Sequence, residues 1–247
     1  MRAFQAAATG TSPFATTVAG FDAIKDSLKP ETSDDFEGGW RTHHELYEAT
    51  LAAYLVNFHD RLLSIQHGSG IQGNPVVLSN VGGVRSYGLE ASLSFRLMPG
   101  LTWTNSLSES RSTYRDNVVS DSTVVDTKGK HVVDAPDTML KSILGYDNGS
   151  LFGDIGADWM SKRYYSYTND ASVPSRLLLN LSAGYRFPQF AMVKQSSIQL
   201  NVTNLTDRKY ISTLGSNGFV NSDPSGTAQT LLPGAPREFT VTFAAKF

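Results

Sequence analysis

Two short clusters in this 247-residue chain put cations and phenol rings close together. Arg111, Tyr114 and Arg115 form one; Tyr164, Tyr165 and Tyr167 form the other. Guanidinium groups pair with anionic oxygens, and aromatic rings stack on flat or cationic groups. Such sets suit the capture of a metal chelate or an oligosaccharide. A plainer reading makes them interface rings and loop anchors. Asp154 and Asp158 face the same way on a strand, four residues apart, too far to share a proton directly. His43 and His44 are adjacent in an expected turn, while His59, His67 and His131 are isolated and have no cysteine support. Asn201, Asn204 and Asp207 read as turn or lumen residues. The sequons at Asn180, Asn201 and Asn204 read as coincidences of polar alternation. With no nucleophile motif, phosphate loop or zinc spacing, neither enzymatic activity, a cofactor nor a metal centre is expected.

Residues of this kind need elements to position them. The net charge of −2 gives no basic excess for nucleic acid and no acidic tail, and the absence of cysteine excludes disulfides. The best apolar run, Leu51–Val56, is far short of the ~20 residues of a membrane helix. The opening residues carry no sustained apolar stretch of the secretory kind.

What recurs instead is alternation. The closing segment REFTVTFAAKF sets Phe239, Val241, Phe243, Ala245 and Phe247 against Glu238, Thr240, Thr242, Ala244 and Lys246. LEASLSFRL, RLLLNLSAGYRF, SIQLNVTN and LFGDIGADW repeat the pattern. It predicts strands near 34–41, 45–66, 78–97, 101–115, 138–147, 150–167, 176–187, 196–210 and 236–247. Between 45 and 66 the apolar side switches, from Ala49, Leu51 and Ala53 to Tyr54, Val56 and Phe58, which predicts a bulge near Ala53. Connectors alternate between short (Thr42–His44, Met98–Gly100, Asn148-Gly149) and long (67–77, 116–137, 168–175, 211–235), with 188–195 longer than its class. Asn-Gly is a two-residue hairpin signal in which both positions tolerate positive φ.

A meander with tight turns at one rim and long loops at the other fits an outer-membrane barrel. A soluble sandwich also alternates, but faces its apolar residues inward. Two features favour the barrel. Aromatics gather near strand ends, as girdles at the lipid interfaces do, among them Trp40, Tyr47, Trp103, Tyr146, Tyr185 and Phe187. The opposite faces carry charge and amide groups far from strand ends. An antiparallel barrel closes only with an even strand count, and a segment at Arg2–Ala8 is too brief to make a tenth spanning strand, so strands are expected to precede Met1.

Four segments in order resemble the TonB-dependent outer-membrane receptors: LKPETSDDFEGGWR (Leu28–Arg41), NVGGVRSYGLEASLSF (Asn80–Phe95), LNVTNLTDRKY (Leu200–Tyr210) and PGAPREFTVTFAAKF (Pro233–Phe247). The resemblance implies an all-β, antiparallel transmembrane β-barrel of the outer-membrane type, of which this chain holds about nine C-terminal strands out of roughly 22. It implies residues 1–33 as an extracellular loop with the end of a preceding strand, and 34–247 as the C-terminal part of the barrel. It implies location in the bacterial outer membrane, contact with its lipid, and dependence on the barrel-assembly machinery through the closing residues Phe239, Val241, Phe243 and Phe247. It implies uptake of a scarce nutrient, a ferric siderophore first and a carbohydrate second, driven by the TonB complex through a plug absent from this sequence. A passive porin-like channel and a soluble β-sandwich binding module are the alternatives. Ligand contacts are expected on the long loops and upper lumen, at Arg111, Tyr114, Arg115, Tyr164, Tyr165 and Tyr167.

Overall fold

A computed structural model of the chain describes residues 29–66, 76–80, 82–120, 123–189, 195–215 and 230–246. The Arg2–Ala8 segment, most of the 1–33 region and Phe247 lie outside the described residues.

In chain order the strands are β1 (Thr32–His43), β2 (Tyr47–His59), a loop pair β3 (Leu62–Gln66) and β4 (Val76–Asn80), then β5 (Val84–Met98) and β6 (Leu101–Tyr114). A second loop pair follows, β7 (Val118–Ser120) and β8 (Thr123–Val125), then β9 (Thr138–Asp147) and β10 (Leu151–Met160). Next are the loop pair β11 (Arg163–Tyr164) and β12 (Ser172–Val173), β13 (Arg176–Phe187) and β14 (Gln195–Thr203), the loop pair β15 (Ile211–Gly215) and β16 (Thr230–Pro233), and finally β17 (Glu238–Lys246). The long strands form one antiparallel nine-stranded meander, β1-β2-β5-β6-β9-β10-β13-β14-β17. The strand count matches the alternation. Each long connector on one rim carries a small hairpin of its own, which the glycine- and serine-rich composition did not reveal.

Four expected strands, 45–66, 78–97, 150–167 and 196–210, are too long, and for the first two the backbone shows why. β2 stops at Asp60, whose φ of 50° is left-handed, and β5 begins after Gly82 at φ 79°. A Cβ at Gly82 would meet Asp116 at 2.8 Å, so only glycine fits this corner. The end of the 45–66 segment therefore leaves the wall and joins a loop hairpin. Likewise, 150–167 ends as a wall strand at Met160 and 196–210 at Thr203. There is no bulge near Ala53: the β1–β2 and β2–β5 registers run unbroken through it. The irregularity falls between Arg96 and Met98 instead. Asn148-Gly149 makes its turn with positive φ at Gly149 alone (93°); the Asn148 side-chain oxygen instead accepts the N–H of Leu151 at 2.8 Å.

Registers fix the two faces. Trp40, Leu51, Ala91, Leu107, Leu140, Trp159 and Leu177 form one cross-strand row. One residue along, Arg41, Thr50, Ser92, Ser106, Lys141 and Asp158 form the row on the other face. A sandwich would bury the first row under a second layer. Here the apolar face is bare: Phe239 is 65% exposed and Phe243 67%. In water each such ring forgoes roughly 1.5–3 kcal/mol of transfer free energy, which lipid contact supplies. The soluble sandwich is thereby excluded.

The main buried cluster lies elsewhere, beneath the long loops. Val84 and Tyr114 from the wall pack with Val118, Val125 and Tyr167 from the loops, and Phe58, Val132 and Val133 flank them. This explains the switch of apolar side along β2. Phe58 faces inward because the loops cover that end of the inner wall with a small dry core.

The Asn-Leu-Thr-Asp segment after β14 is a turn. Asn204 has φ 50°, and its buried amide donates to the carbonyls of Arg208 (2.9 Å) and Ala235 (3.0 Å) and accepts the Arg208 N–H (2.8 Å). Asn204→Ala would unpair all three backbone groups and place alanine in the left-handed region. It is expected to cost about 2–3 kcal/mol, read as a lower urea midpoint for unfolding from lipid vesicles. An unchanged midpoint would contradict this role.

Candidate functional site: inner wall and loop assembly

The inner wall is concave and polar. Hydroxyls face one another across strands, as in Ser86–Ser112 (2.7 Å), Ser94–Thr104 (3.0 Å) and Tyr54–Ser110 (2.7 Å). Charge is spread among them: Glu37, Glu90, Lys141 and Asp158 line one hollow. Arg176 approaches Asp158 at 3.7 Å, and Ser182 donates to Asp154. Charges at these depths are tolerable only beside water or other polar groups.

Above the wall the loops join into one assembly. Arg163, 6% exposed, is its central cation. It pairs with Asp134 at 2.7 Å and donates to the carbonyl oxygens of Ile211 (2.9 Å) and Ser212 (3.3 Å). These partners come from the β6–β9 and β14–β17 connectors, so one guanidinium links three loops. Asn169 adds a second link, accepting the His131 N–H at 2.6 Å and donating to the His131 carbonyl at 3.0 Å. Nearby, Ser166 first, with Thr168 assisting, hydrogen-bonds the Asp170 carboxyl and holds it below the usual carboxylate range. The exposed Lys162 ammonium lies 4.8 Å from the centroid of the half-buried Tyr164 ring, and the His131 ring meets the same ring at 5.4 Å, tilted by 42°.

The six expected contact residues do not converge. Tyr114 and Tyr167 are 1% and 5% exposed and pack on each other at 5.8 Å within the loop core. Arg111 lies opposite Tyr87, in the row of Phe36 and Leu55, so it stands on the outer face rather than in the lumen. Arg115 is exposed just past the end of β6. Tyr164 and Tyr165 are half-buried in the loop assembly. The closing-strand residues Phe239, Val241 and Phe243 form the outer face of β17, which pairs with β14 on one side. Sequence reasoning missed Arg163, Lys162, Asp134 and Asn169. Their only signal was the left-handed backbone at Asp134 and Asn169, which sequence does not display.

One meandering wall, bare and apolar outside, hydroxylic and charged inside, with long loops gathered at a single rim, is the plan of an outer-membrane receptor barrel. The family model of the TonB dependent receptor-like β-barrel matches residues 2–205. The chain belongs to the TonB-dependent receptor β-barrel family. This receptor chain resides in the outer membrane, with its strands spanning the lipid. Among solved structures it is similar to the ferric citrate transporter FecA in its unliganded form (TM-score 0.68, 19% identity, 88% of this chain and 32% of that one). It is similar to BauA, the ferric preacinetobactin receptor from Acinetobacter baumannii (TM-score 0.67, 20% identity, 100% and 32%). It also resembles the ferric yersiniabactin uptake receptor FyuA from Yersinia pestis (TM-score 0.66, 21% identity, 88% and 30%). The chain thus spans about a third of the length of these receptors. None of the curated protein sequences matches it.

Proposed function

We propose that this receptor chain forms one wall and part of the ligand mouth of a transporter that takes up a ferric siderophore. The carrying observation is the exposed Lys162 beside the half-buried Tyr164 and His131 rings on an assembly of linked loops. An ammonium beside paired rings suits a flat, anionic chelate, through charge pairing and ring contact together. The three similar receptors are named for ferric chelates, which supports iron over sugar. Energy would enter through the TonB complex acting on a plug. β17, with its outward aromatics, would close the cylinder against the first barrel strand and be read by the assembly machinery.

Binding to the protein in detergent tests the proposal, with ferric citrate, a ferric catecholate and maltotriose as probes. At least one ferric chelate is expected to bind, and Lys162→Ala combined with Tyr164→Ala to weaken it about tenfold, the equivalent of one charge-assisted contact. Binding of maltotriose alone would overturn the iron reading.

A further inference from the structure

The Asn148-Gly149 turn carries a latent reaction of its own. A glycine after asparagine leaves the next backbone nitrogen unshielded, so that nitrogen can reach the carboxamide carbon. The Gly149 N–H gives its proton to solvent, a C–N bond forms to Asn148 Cγ, and the carboxamide nitrogen leaves as ammonia. Water then opens the cyclic imide at either carbonyl, which gives aspartate or its β-linked isomer. Water is the sole co-reactant. Both residues are exposed at the short-turn rim, and a Cβ at Gly149 would meet nothing within 4 Å.

The electrophile is already primed. Asn148 Oδ1 accepts the Leu151 N–H at 2.8 Å and the Ser150 N–H at 3.1 Å. Negative charge develops on that oxygen during attack, and two backbone donors there lower the barrier as an oxyanion hole does. Asn148 Nδ2 donates to the Tyr146 hydroxyl at 3.1 Å, which fixes the plane of the amide.

The nucleophile, by contrast, is restrained. The Gly149 N–H donates to Asp147 Oδ1 at 2.8 Å. Removing that proton would set a nitrogen anion against a carboxylate, which like-charge repulsion opposes. An aspartate is too weak a base to take the proton itself. Arg186 holds the carboxylate in place with a two-pronged contact, Nη1 to Oδ1 at 2.8 Å and Nη2 to Oδ2 at 2.9 Å. The same Nη1 reaches the Gly149 carbonyl at 3.2 Å. The guanidinium lies 4.1 Å from the Phe152 ring centroid, and that ring fills the space a side chain at Gly184 would need. The clamp therefore draws on β9, β10 and β13, and it exists only where these strands are paired.

We infer that Asn148 is a deamidation site gated by the Asp147–Arg186 clamp. The paired wall protects it, and loosening of the short-turn rim releases the nucleophile beside a primed carboxamide. The product, a new carboxylate or a β-linked residue in the turn, marks chains whose wall has opened. The site is independent of the nutrient the loops take.

The test follows deamidation at mildly alkaline pH of the protein in isolated outer membranes and, in parallel, unfolded in urea. Trypsin releases residues 142–162, in which Asn148 is the sole asparagine. Liquid chromatography with mass spectrometry resolves the asparaginyl, aspartyl and isoaspartyl forms of that peptide. Folded wild type is expected to react about tenfold more slowly than the unfolded chain, the equivalent of one charge-assisted hydrogen bond. Folded Asp147→Ala should lose most of that protection. Arg186→Gln should lose about threefold, because it frees the carboxylate without removing it. Each variant is referred to its own rate in urea, and resistance to heat in dodecyl sulfate reports folding. If Asp147→Ala does not fold, Arg186→Gln decides alone. Equal rates for folded and unfolded wild type would overturn the protection. Folded variants as slow as wild type would overturn the clamp.

Discussion

Leu107→Arg is expected to destabilise the protein in the bilayer by about 2–4 kcal/mol, whereas Ser108→Arg, one residue along, should change stability by less than about 1 kcal/mol. Leu107 is in the outer row beside Leu140 and Ala91, about 16 Å up from Leu101 and thus close to the middle of the apolar band. A guanidinium there must be drawn through hydrocarbon or distort the lipid around it. Ser108 faces the lumen across from Glu90, so an arginine there meets water and a carboxylate. Urea titration of refolding into phosphatidylcholine vesicles measures both. Equal penalties would mean that the faces are not divided between lipid and water, and the barrel reading would fail with them.

Arg163→Met should loosen three loops at once. The guanidinium is buried, and methionine matches its length without its donors, so Asp134 and the Ile211 and Ser212 carbonyls lose their partner. Breaking a buried ion pair from one side costs about 3–5 kcal/mol. Asp134 is 41% exposed, so water recovers part of that, and about 2–3 kcal/mol is the expected loss. It should appear as amide hydrogen exchange on the order of 30- to 100-fold faster in residues 131–137 and 211–214, with the wall strands unchanged. Arg163→Lys should fall between, since it keeps the charge and loses the fork. Unaltered exchange in both segments would show that the loops are held by the apolar cluster alone.

These two expectations differ in how much of their basis was readable beforehand. The outer row behind the first is written in the sequence as period-two alternation, and so are the strand count, their antiparallel order and the side on which the long connectors lie. The closing β17 shows this well. Phe239, Val241 and Phe243 alternate with threonines, and the structure leaves those rings bare on one face. Strand ends were less legible. β2 and β14 stop at local backbone corners, at the left-handed Asp60 and Asn204. A side chain that merely tolerates that conformation leaves no mark in an alternation pattern.

The latch behind the second expectation was not legible. Asp134, Arg163 and Ser212 lie far apart in the chain and meet only because the meander returns each long connector to the same rim. The contact clusters fared likewise. Spacing grouped Tyr114 with Arg111 and Arg115, but the pleat sent Tyr114 inward to a dry core and Arg111 outward to the lipid edge. Sequence alone determined that each wall strand has one greasy and one polar face, because the strand repeat is local and every second residue reports it; that no second layer covers the greasy face was decided by the fold. Which polar side chains meet, and which tyrosines are buried by loops, was decided by tertiary structure, because those contacts depend on cross-strand register and loop return.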